Sequence, residues 1–139
     1  MSASILLVTD THPLIWYIGN QHSRLPKKVL AAFRSAQAGT GTYIWVPAAV
    51  VWEMSVLMKK TRRVTALASL AEIVNDDFYS KSISVADQLT EDLLLAHSLD
   101  FSKDPFDALI VATALRLELP LITADGAISE AKPCPLFWE

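Results

Sequence analysis

The sequence of 139 residues contains a single cysteine, Cys134, and no long run of apolar residues. One cysteine excludes an intramolecular disulfide and half of a cysteine-based zinc site. The longest apolar runs, such as Ala108–Leu115, fall far short of the ~20 residues that a membrane-spanning helix needs. The early apolar stretch Ile5–Val8 is too short for the core of a signal peptide. We therefore expect a soluble protein of the cytoplasm, with no membrane segment.

Positive charge is also scarce, because 12 Lys and Arg residues stand against 15 Asp and Glu residues, a formal net charge of −3. This balance argues against a protein that coats nucleic acid by bulk positive charge, but it leaves room for a local basic patch. A composition of 52% apolar and 19% charged residues excludes a disordered chain. The length suits one domain, residues 1–139, which buries roughly two-thirds of its unfolded surface.

Short apolar runs alternate with helical stretches along the chain. Strands are predicted at Ile5–Thr9, Tyr43–Val46, Ser82–Val85, Pro120–Thr123 and Leu136–Trp138. Helices are predicted at Leu14–Ile18, at Lys27–Ala38, from Pro47 to about Lys60, within Thr65–Tyr79, at Ala86–Leu99 and at Pro105–Glu118. This alternation is typical of an α/β sandwich, with a mainly parallel sheet and helices on both faces.

Two carboxylates fall where such a sheet forms its binding sites. Asp10 directly follows the first strand, and Asp125 comes just past the strand Pro120–Thr123. Neighbouring parallel strands open into the same crevice at their carboxyl ends, so we expect these two side chains to meet there. Taken alone, each is equally well explained as a helix N-cap or a turn residue.

The segment from Asp104 to Asp107 opens a strongly apolar helix. Pro105 at the first helical position puts Asp104 at the N-cap and Asp107 at the third position, as in a capping box. The helix behind them is apolar nearly all round, so its start is expected to lie against the sheet. Capping therefore explains Asp104 better than it explains Asp107.

Glu53 is the charged residue of an otherwise apolar stretch, Ala48–Met54. A buried carboxylate there needs a cation or a metal ion, whereas a partly exposed one could pair with Lys60. Together the acidic residues predict an acidic crevice. Its carboxylates cannot all be ionised at once unless a cation compensates their charge. Oxygen ligands alone suit Mg²⁺, or Mn²⁺ as a substitute, rather than Zn²⁺. Such an ion activates water and neutralises phosphoryl charge, so phosphodiester hydrolysis is the natural reaction.

Four segments in this order resemble the PIN-domain ribonucleases, specifically the VapC-like toxins of bacterial toxin–antitoxin pairs. They are Leu7–His12 with Trp16 following, Ala48–Glu53, Asp104–Ala114 and Leu121–Asp125. The segments extend from the first strand almost to the C-terminus, so the resemblance covers essentially the whole chain. It implies a PIN-like three-layer sandwich and a Mg²⁺-dependent endoribonuclease that leaves a 5′-phosphate and a 3′-hydroxyl. It also implies a homodimer that a small antitoxin protein neutralises.

The resemblance further implies roles for particular side chains. The family's acidic quartet is carried onto Asp10, Glu53, Asp107 and Asp125. Asp10 and Asp107 would be the principal Mg²⁺ ligands, and the other two would complete the site directly, through water or at a second ion. Asp104 and Thr123 would support this site. Thr11 and His12 would flank the groove that takes RNA.

The chain departs from the family beside the Asp104–Asp107 segment. Ser102 and Lys103 stand where many relatives have His and Arg, and Ala108 stands where Arg is usual. A basic contact in the substrate groove is therefore missing or is supplied from elsewhere.

The strongest basic cluster comprises Lys59, Lys60, Arg62 and Arg63. Lys60 lies two helical turns beyond Glu53 on the same face, roughly 10 Å along the axis, where it could hold an RNA phosphate. An equally good interpretation is that these cations complement a helix C-terminus in solvent. Four tryptophans, Trp16, Trp45, Trp52 and Trp138, are expected in the core or a dimer interface rather than as base-stacking platforms.

Two other functions are compatible with parts of this pattern. A non-catalytic RNA- or partner-binding module on the same fold would use the acidic residues only as helix caps. A phosphatase of the haloacid dehalogenase type would need a second Asp where His12 stands, so it is set aside.

The acidic quartet accounts for the negative net charge. Without these four residues the chain has 11 acidic and 12 basic residues, a remainder of +1. The negative net charge thus reflects acidic residues that are concentrated in one metal site. RNA binding should therefore depend on the metal ion and on a few local basic side chains.

Overall fold

A five-stranded parallel sheet runs through residues 4–61, 70–78 and 82–139, the parts of the chain that the computed structural model describes. Its strands are β1 (Ile5–Thr9), β2 (Thr42–Pro47), β3 (Ile83–Ala86), β4 (Leu121–Ile122) and β5 (Leu136–Phe137). They lie in the order β3-β2-β1-β4-β5, and each neighbouring pair is parallel. The predicted α/β fold with a parallel sheet is confirmed, and the last strand lies at one edge of the sheet.

The helices connect these strands. They are α1 (Thr11–Ile18), α2 (Lys27–Ala38), α3 (Ala48–Thr61), α4 (Leu70–Glu72), α5 (Thr90–Ser98), α6 (Pro105–Leu117) and α7 (Gly126–Ala131). A short 3₁₀ turn covers His22–Arg24, and a more widely wound helical segment, Ile73–Phe78, continues α4. Within the described ranges, no helix is both long enough and apolar enough to cross a membrane.

Local signals place some helix ends correctly and others not. Helix α2 has its predicted bounds, because Pro26 precedes it and Gly39 closes it in the left-handed conformation at φ 73°. The helix predicted from Ala86 begins only at Thr90, because the side chain of Asp92 accepts a hydrogen bond from the Leu89 amide and holds the chain extended before it. Part of the helix predicted within 65–79 falls on residues outside the described ranges.

The register of the central strands brings two carboxyl ends together. Val8 of β1 pairs with Trp45 of β2 on one side and with Leu121 of β4 on the other. The Asp10 amide donates to the Ile122 carbonyl at 2.9 Å. The residues that follow β1 and β4 therefore emerge side by side at one edge of the sheet.

Burial along β1 is uneven. Its first two residues, Ile5 and Leu6, are 49% and 44% exposed, whereas Leu7 and Val8 are buried. Strand β4 pairs with β1 only from Val8 onward, so the start of β1 lacks β4 as a neighbour. A mainly apolar run such as Ile5–Thr9 is expected to be covered on both faces, and this expectation is wrong for its first two residues.

A buried ion pair joins α5 to α6. Asp92 is fully buried, and its Oδ1 atom accepts a hydrogen bond from Nε of Arg116 at 2.5 Å. Its Oδ2 atom accepts from the Arg116 guanidinium at 3.2 Å and from the Leu89 amide at 2.9 Å. The hydrogen bond from Arg116 to Asp92 raises the pKa of the guanidinium, which therefore stays charged.

Gln88 extends this contact to a third helix. Its amide nitrogen donates to Asp92 Oδ2 and to Thr113 Oγ1 of α6, each at 3.0 Å. Its carbonyl oxygen accepts from the Ala49 amide at the start of α3, also at 3.0 Å. The side chain thus satisfies one of the free amides of the α3 N-terminus and fixes α3 relative to α6.

Candidate active site

Asp10 stands at the carboxyl end of β1 and is the N-cap of α1. It is 5% exposed, and its Oδ1 atom accepts a hydrogen bond from the Thr11 amide at 2.7 Å. Its Oδ2 atom accepts from the buried Thr123 hydroxyl at 2.7 Å. The same hydroxyl accepts from the Asp125 amide at 3.0 Å. A continuous chain of hydrogen bonds therefore links the ends of β1 and β4.

Burial dominates the electrostatics of Asp10. Loss of solvent raises its pKa above the ordinary value of 3.8, and the nearby charge of Asp125 raises it further. The hydrogen bonds from Thr123 and Thr11 lower the pKa but do not compensate for the burial. Protonation, or a bound cation, is therefore favoured at this position.

Glu53 reaches the same region from α3. It is half-buried, and its Oε1 atom accepts a short hydrogen bond from the hydroxyl of Thr11, which is itself fully buried. Burial raises the pKa of Glu53, and the charges of Asp10 and Asp104 add to that rise. Among the described residues Glu53 belongs to no ion pair, so the alternative of a pair with Lys60 is not observed.

Asp107 lies in the first turn of α6 and is 6% exposed. Its Oδ2 atom accepts a hydrogen bond from the Ser102 hydroxyl at 2.9 Å, and that hydroxyl accepts from the Asp104 amide at 3.1 Å. Burial, with further contributions from the charges of Asp125, Asp104 and Asp10, raises the pKa of Asp107 to about 7. The side chain therefore carries a proton for part of the time at neutral pH.

Two of the acidic residues have the capping geometry considered as an alternative. Asp104 accepts from the Phe106 amide at 2.9 Å as the N-cap of α6, and Asp125 accepts from the Ile128 amide at 2.9 Å as the N-cap of α7. Each cap uses Oδ1, so the other carboxylate oxygen is not needed for the cap. Capping thus accounts for the placement of Asp104 and Asp125, whereas Asp107 takes its hydrogen bond from a serine side chain.

The carboxylates of Asp10, Glu53 and Asp107 are each oriented by a hydrogen bond from a different hydroxyl group. The donors are Thr123, Thr11 and Ser102, respectively. Thr123 was predicted to support the site, but Ser102 appeared in the sequence only as a departure from the family. Its place in the short loop before α6, five residues before Asp107, is the signal that could have identified it.

A small pocket of about 110 Å³ opens beside the carboxylates of Asp10 and Asp125. It is lined by Asp10, His12, Trp16, Ala124 and Asp125. Its volume exceeds the ~10–15 Å³ that one water molecule needs, so it has space for a hydrated ion. The His12 side chain is exposed at this pocket, whereas Thr11 is buried and its hydroxyl donates a hydrogen bond to Glu53. A contact of either residue with RNA stays a prediction.

The acidic side chains of this site offer carboxylate oxygens as ligands for a divalent cation. Among the described residues, no three His, Cys, Asp or Glu side chains converge closely enough to hold one ion. Mg²⁺ commonly takes only one or two protein carboxylates and completes its shell with water and substrate phosphates. Burial, together with the charge of Asp125, raises the pKa of both Asp10 and Asp107, a cost that a nearby bound cation would relieve. The residues therefore fit an open, hydrated divalent site rather than a closed cage.

The predicted RNA-contacting cations are partly described. Lys59 and Lys60 are exposed at the end of α3, whereas Arg62 and Arg63 lie outside the described residues. Of the tryptophans, three pack partly against the core: Trp16, Trp45 and Trp138. Trp52 is 58% exposed and therefore does not lie in the core, so that only the alternative of a dimer interface stays a prediction for this residue.

Comparisons with known proteins agree with this architecture. Residues 7–132 match the model of the family described as the PIN domain. No curated protein matches the chain significantly. A similar chain occurs in the crystal structure of VapBC2 from Rickettsia felis bound to a DNA fragment from their promoter. The two chains are 13% identical and superpose with a TM-score of 0.66, and the match covers 97% of this chain and 100% of the other. A toxin–antitoxin complex from Klebsiella pneumoniae contains another, with a TM-score of 0.58 at 17% identity, over 96% and 95% of the two chains.

Proposed function

Since this chain belongs to the PIN domain family, we propose that it is a Mg²⁺-dependent endoribonuclease and the toxin of a toxin–antitoxin pair. The observation that carries the proposal is the group formed by the buried carboxylates of Asp10 and Asp107 and the half-buried carboxylate of Glu53 at the carboxyl edge of the sheet. Burial raises the pKa of each, which suits ligands whose charge is meant to be neutralised by a cation. The likeness to chains of two toxin–antitoxin complexes supports the biological role.

Within this proposal the side chains have distinct tasks. Asp10 and Asp107 hold the cation, and Glu53 and Asp125 complete its surroundings directly, through water or at a second ion. Thr123, Thr11 and Ser102 fix the carboxylates so that little rearrangement is needed when the substrate arrives. His12 lines the pocket and is available to an RNA phosphate or ribose.

The ion, when bound, supplies an activated water and stabilises charge on the phosphoryl oxygens. Asp107 contributes a proton equilibrium of its own. Ser102 donates to Oδ2, so a proton on Asp107 at neutral pH resides on Oδ1. Asp107 would have to release that proton to serve as a ligand, so the affinity for a divalent ion should rise with pH through about 7.

Cleavage of a structured RNA with and without a divalent ion tests the proposal. We expect endonucleolytic products in Mg²⁺ or Mn²⁺ and none in excess EDTA. We expect Asp10→Asn to lower the rate about 10²-fold, because one charge that binds the ion is lost while the size of the side chain is kept. Asp100→Asn removes an equally negative but exposed side chain and serves as the matched control. Full activity of Asp10→Asn, or cleavage undiminished by EDTA, would rule the proposal out.

An exposed apolar face on α5 supports a protein partner. Leu89, Leu93 and Leu94 are 39%, 54% and 70% exposed, and the acidic side chains of Asp87 and Glu91 are exposed beside them. In a two-fold dimer these acidic groups would approach one another, so we propose that an antitoxin with apolar and basic residues covers this face. The homodimer implied by the resemblance and the cytoplasmic location expected from the composition stay predictions.

Co-expression with the product of a short neighbouring reading frame tests the α5 surface. We expect Leu94→Asp to weaken the complex about 10-fold or more, because a charge replaces a side chain whose burial contributes about 1.5–3 kcal/mol. Glu130→Gln on α7 is the control, and it should leave the affinity unchanged within twofold. Isothermal titration of purified components gives the affinities, and equal binding by Leu94→Asp would remove α5 from the interface.

The non-catalytic binding module remains a second candidate, because Asp10, Asp104 and Asp125 all act as helix caps. The two candidates differ in ion binding. The nuclease requires Mn²⁺ uptake that Asp10→Asn and Asp107→Asn reduce, whereas the module predicts no carboxylate-dependent uptake. Titration calorimetry of the wild type and these two variants separates the candidates without an RNA substrate.

A further inference from the structure

Trp52 presents a large aromatic surface to solvent on the helix that carries Glu53. It lies on α3 immediately before Glu53, and 58% of it is exposed. The ammonium group of Lys59 lies 5.5 Å from the centre of the Trp52 ring. Trp is rarely so exposed on a folded domain, since few side chains have more apolar area to bury.

Two parallel stripes run along α3 from the carboxylates towards its C-terminus. Residues seven apart lie on one face of a helix, so Glu53 shares a face with Lys60, and Trp52 shares the neighbouring face with Lys59. Each stripe spans about 10 Å and ends in an exposed lysine. An aromatic platform next to a phosphate-binding cation is the arrangement that single-stranded nucleic acid recognises.

We propose that Trp52 and Lys59 form a nucleotide subsite on α3, in which the Trp52 ring stacks on an unpaired RNA base and Lys59 binds a neighbouring phosphate. This inference rests on the proposed function, because Glu53 places the subsite next to the proposed cleavage centre. The contact between Lys59 and the ring is weak at an exposed position, so a stacking base can displace the ammonium towards its own phosphate. The preferred substrate is then RNA with a base free to unstack near the cleaved bond.

Charge distinguishes this surface from the other exposed apolar side chains. The α5 leucines are accompanied by Asp87 and Glu91, which would repel phosphates. Trp52 is accompanied by Lys59 and Lys60, which attract them. Trp52 is also the one aromatic residue among the large apolar side chains exposed in the described ranges, and stacking requires an aromatic ring.

Binding of a short, unstructured oligoribonucleotide to the full chain in EDTA tests the subsite, with fluorescence anisotropy as the measurement. We expect Trp52→Gln to weaken binding about 10-fold and Trp52→Phe to weaken it less than threefold, because Phe keeps a stacking face. Leu6→Gln removes another exposed apolar side chain, at the far end of β1, and should bind as the wild type does.

The salt dependence of binding tests the role of Lys59. Lys59→Gln should reduce the slope of log affinity against log salt by about 1, whereas each lysine variant should keep the wild-type melting temperature. Lys27→Gln, on α2, is the matched control for charge and should leave the slope unchanged.

Cleavage assays on the same variants separate this inference from the proposed function. Wild-type cleavage combined with an unchanged KM and oligonucleotide affinity for Trp52→Gln would overturn the subsite alone. RNA binding that depends on Trp52 without any cleavage in Mg²⁺ or Mn²⁺ would support the subsite and overturn the nuclease. A change of Trp52→Gln from dimer to monomer in light scattering, with RNA affinity unchanged, would instead assign Trp52 to a protein interface and overturn the subsite.

Discussion

Asp107→Asn is expected to lower RNA cleavage about 10²- to 10³-fold while it raises the thermal stability of the metal-free protein at pH 8. The activity falls because the variant loses a charged ligand for the divalent ion. The stability rises because a buried carboxylate, which is repelled by Asp125, Asp104 and Asp10, is replaced by a neutral side chain of the same shape. The Ser102 hydroxyl can still donate to the amide oxygen of the new side chain.

The pH dependence of this effect follows from the direction of the pKa shift. Asp107 has a pKa of about 7 in the folded protein against an ordinary value of 3.8. Between these values the folded state keeps a proton that the unfolded state has released, so the free energy of unfolding decreases as the pH rises. This contribution is fully present below about pH 4 and is lost as the pH passes through about 7. The Asn variant cannot ionise and should lack this slope.

Thermal melts in EDTA from pH 5 to pH 8 measure the effect. The wild type should lose several degrees of melting temperature relative to Asp107→Asn over this range, whereas Asp100→Asn should follow the wild type. Saturating Mg²⁺ should stabilise the wild type more than Asp107→Asn, because the ion binds the folded wild type more tightly. Parallel pH profiles for the wild type and Asp107→Asn, or retained cleavage by the variant, would contradict the assignment of Asp107.

Asp92→Ala is expected to reduce the free energy of unfolding by about 3–5 kcal/mol, the usual cost of removing one partner of a buried ion pair. The Arg116 side chain, only 21% exposed, would lose its counter-charge. The Leu89 amide and the Gln88 side chain would lose their acceptor as well. Because Gln88 also holds the start of α3, we expect Asp92→Ala to impair the placement of Glu53.

Urea unfolding at pH 7 measures this loss, with Asp100→Asn as a control that should change stability by less than about 0.5 kcal/mol. A double variant, Asp92→Leu with Arg116→Met, distinguishes lost charge compensation from lost packing. It should recover a large part of the stability, because no unpaired charge then remains in the interior. A loss below 1 kcal/mol for Asp92→Ala would mean that the ion pair does not stabilise the α5–α6 contact.

Local chemistry predicted the fold better than it predicted the site. Pro26 and Gly39 delimit α2, and alternating apolar runs predict the parallel sheet, because these signals depend on near neighbours in sequence. The late start of α5 was missed, since it depends on a side chain, Asp92, that reaches back to the Leu89 amide. Positions of the carboxylates at strand and helix ends were predictable from the topology, and the structure brings Asp10 and Asp125 to one edge of the sheet as expected.

The hydroxyl partners and the exposure of Trp52 could not be predicted in the same way. The hydroxyl of Thr11 meets a carboxylate 42 residues away, and no local pattern encodes that distance. Helix α3 is apolar nearly all round, so its sequence does not reveal which face packs on the core and which faces solvent. Only the packing of α3 against its neighbours determines that Met54 is buried and that Trp52 is exposed.

The hydrogen bond from Thr123 to Asp10 has a consequence for when the proposed nuclease site forms during synthesis. The two residues are 113 positions apart, so at ~5–20 residues per second the ribosome needs roughly 6–23 s to pass from one to the other. During that interval β1 can pair with β2, but Asp10 lacks its partner until β4 has been made and has inserted beside β1. Under the proposed function, a nascent chain would lack the hydrogen bond that orients Asp10 until β4 is in place, so an inhibitor made in the same interval could bind before the site is complete.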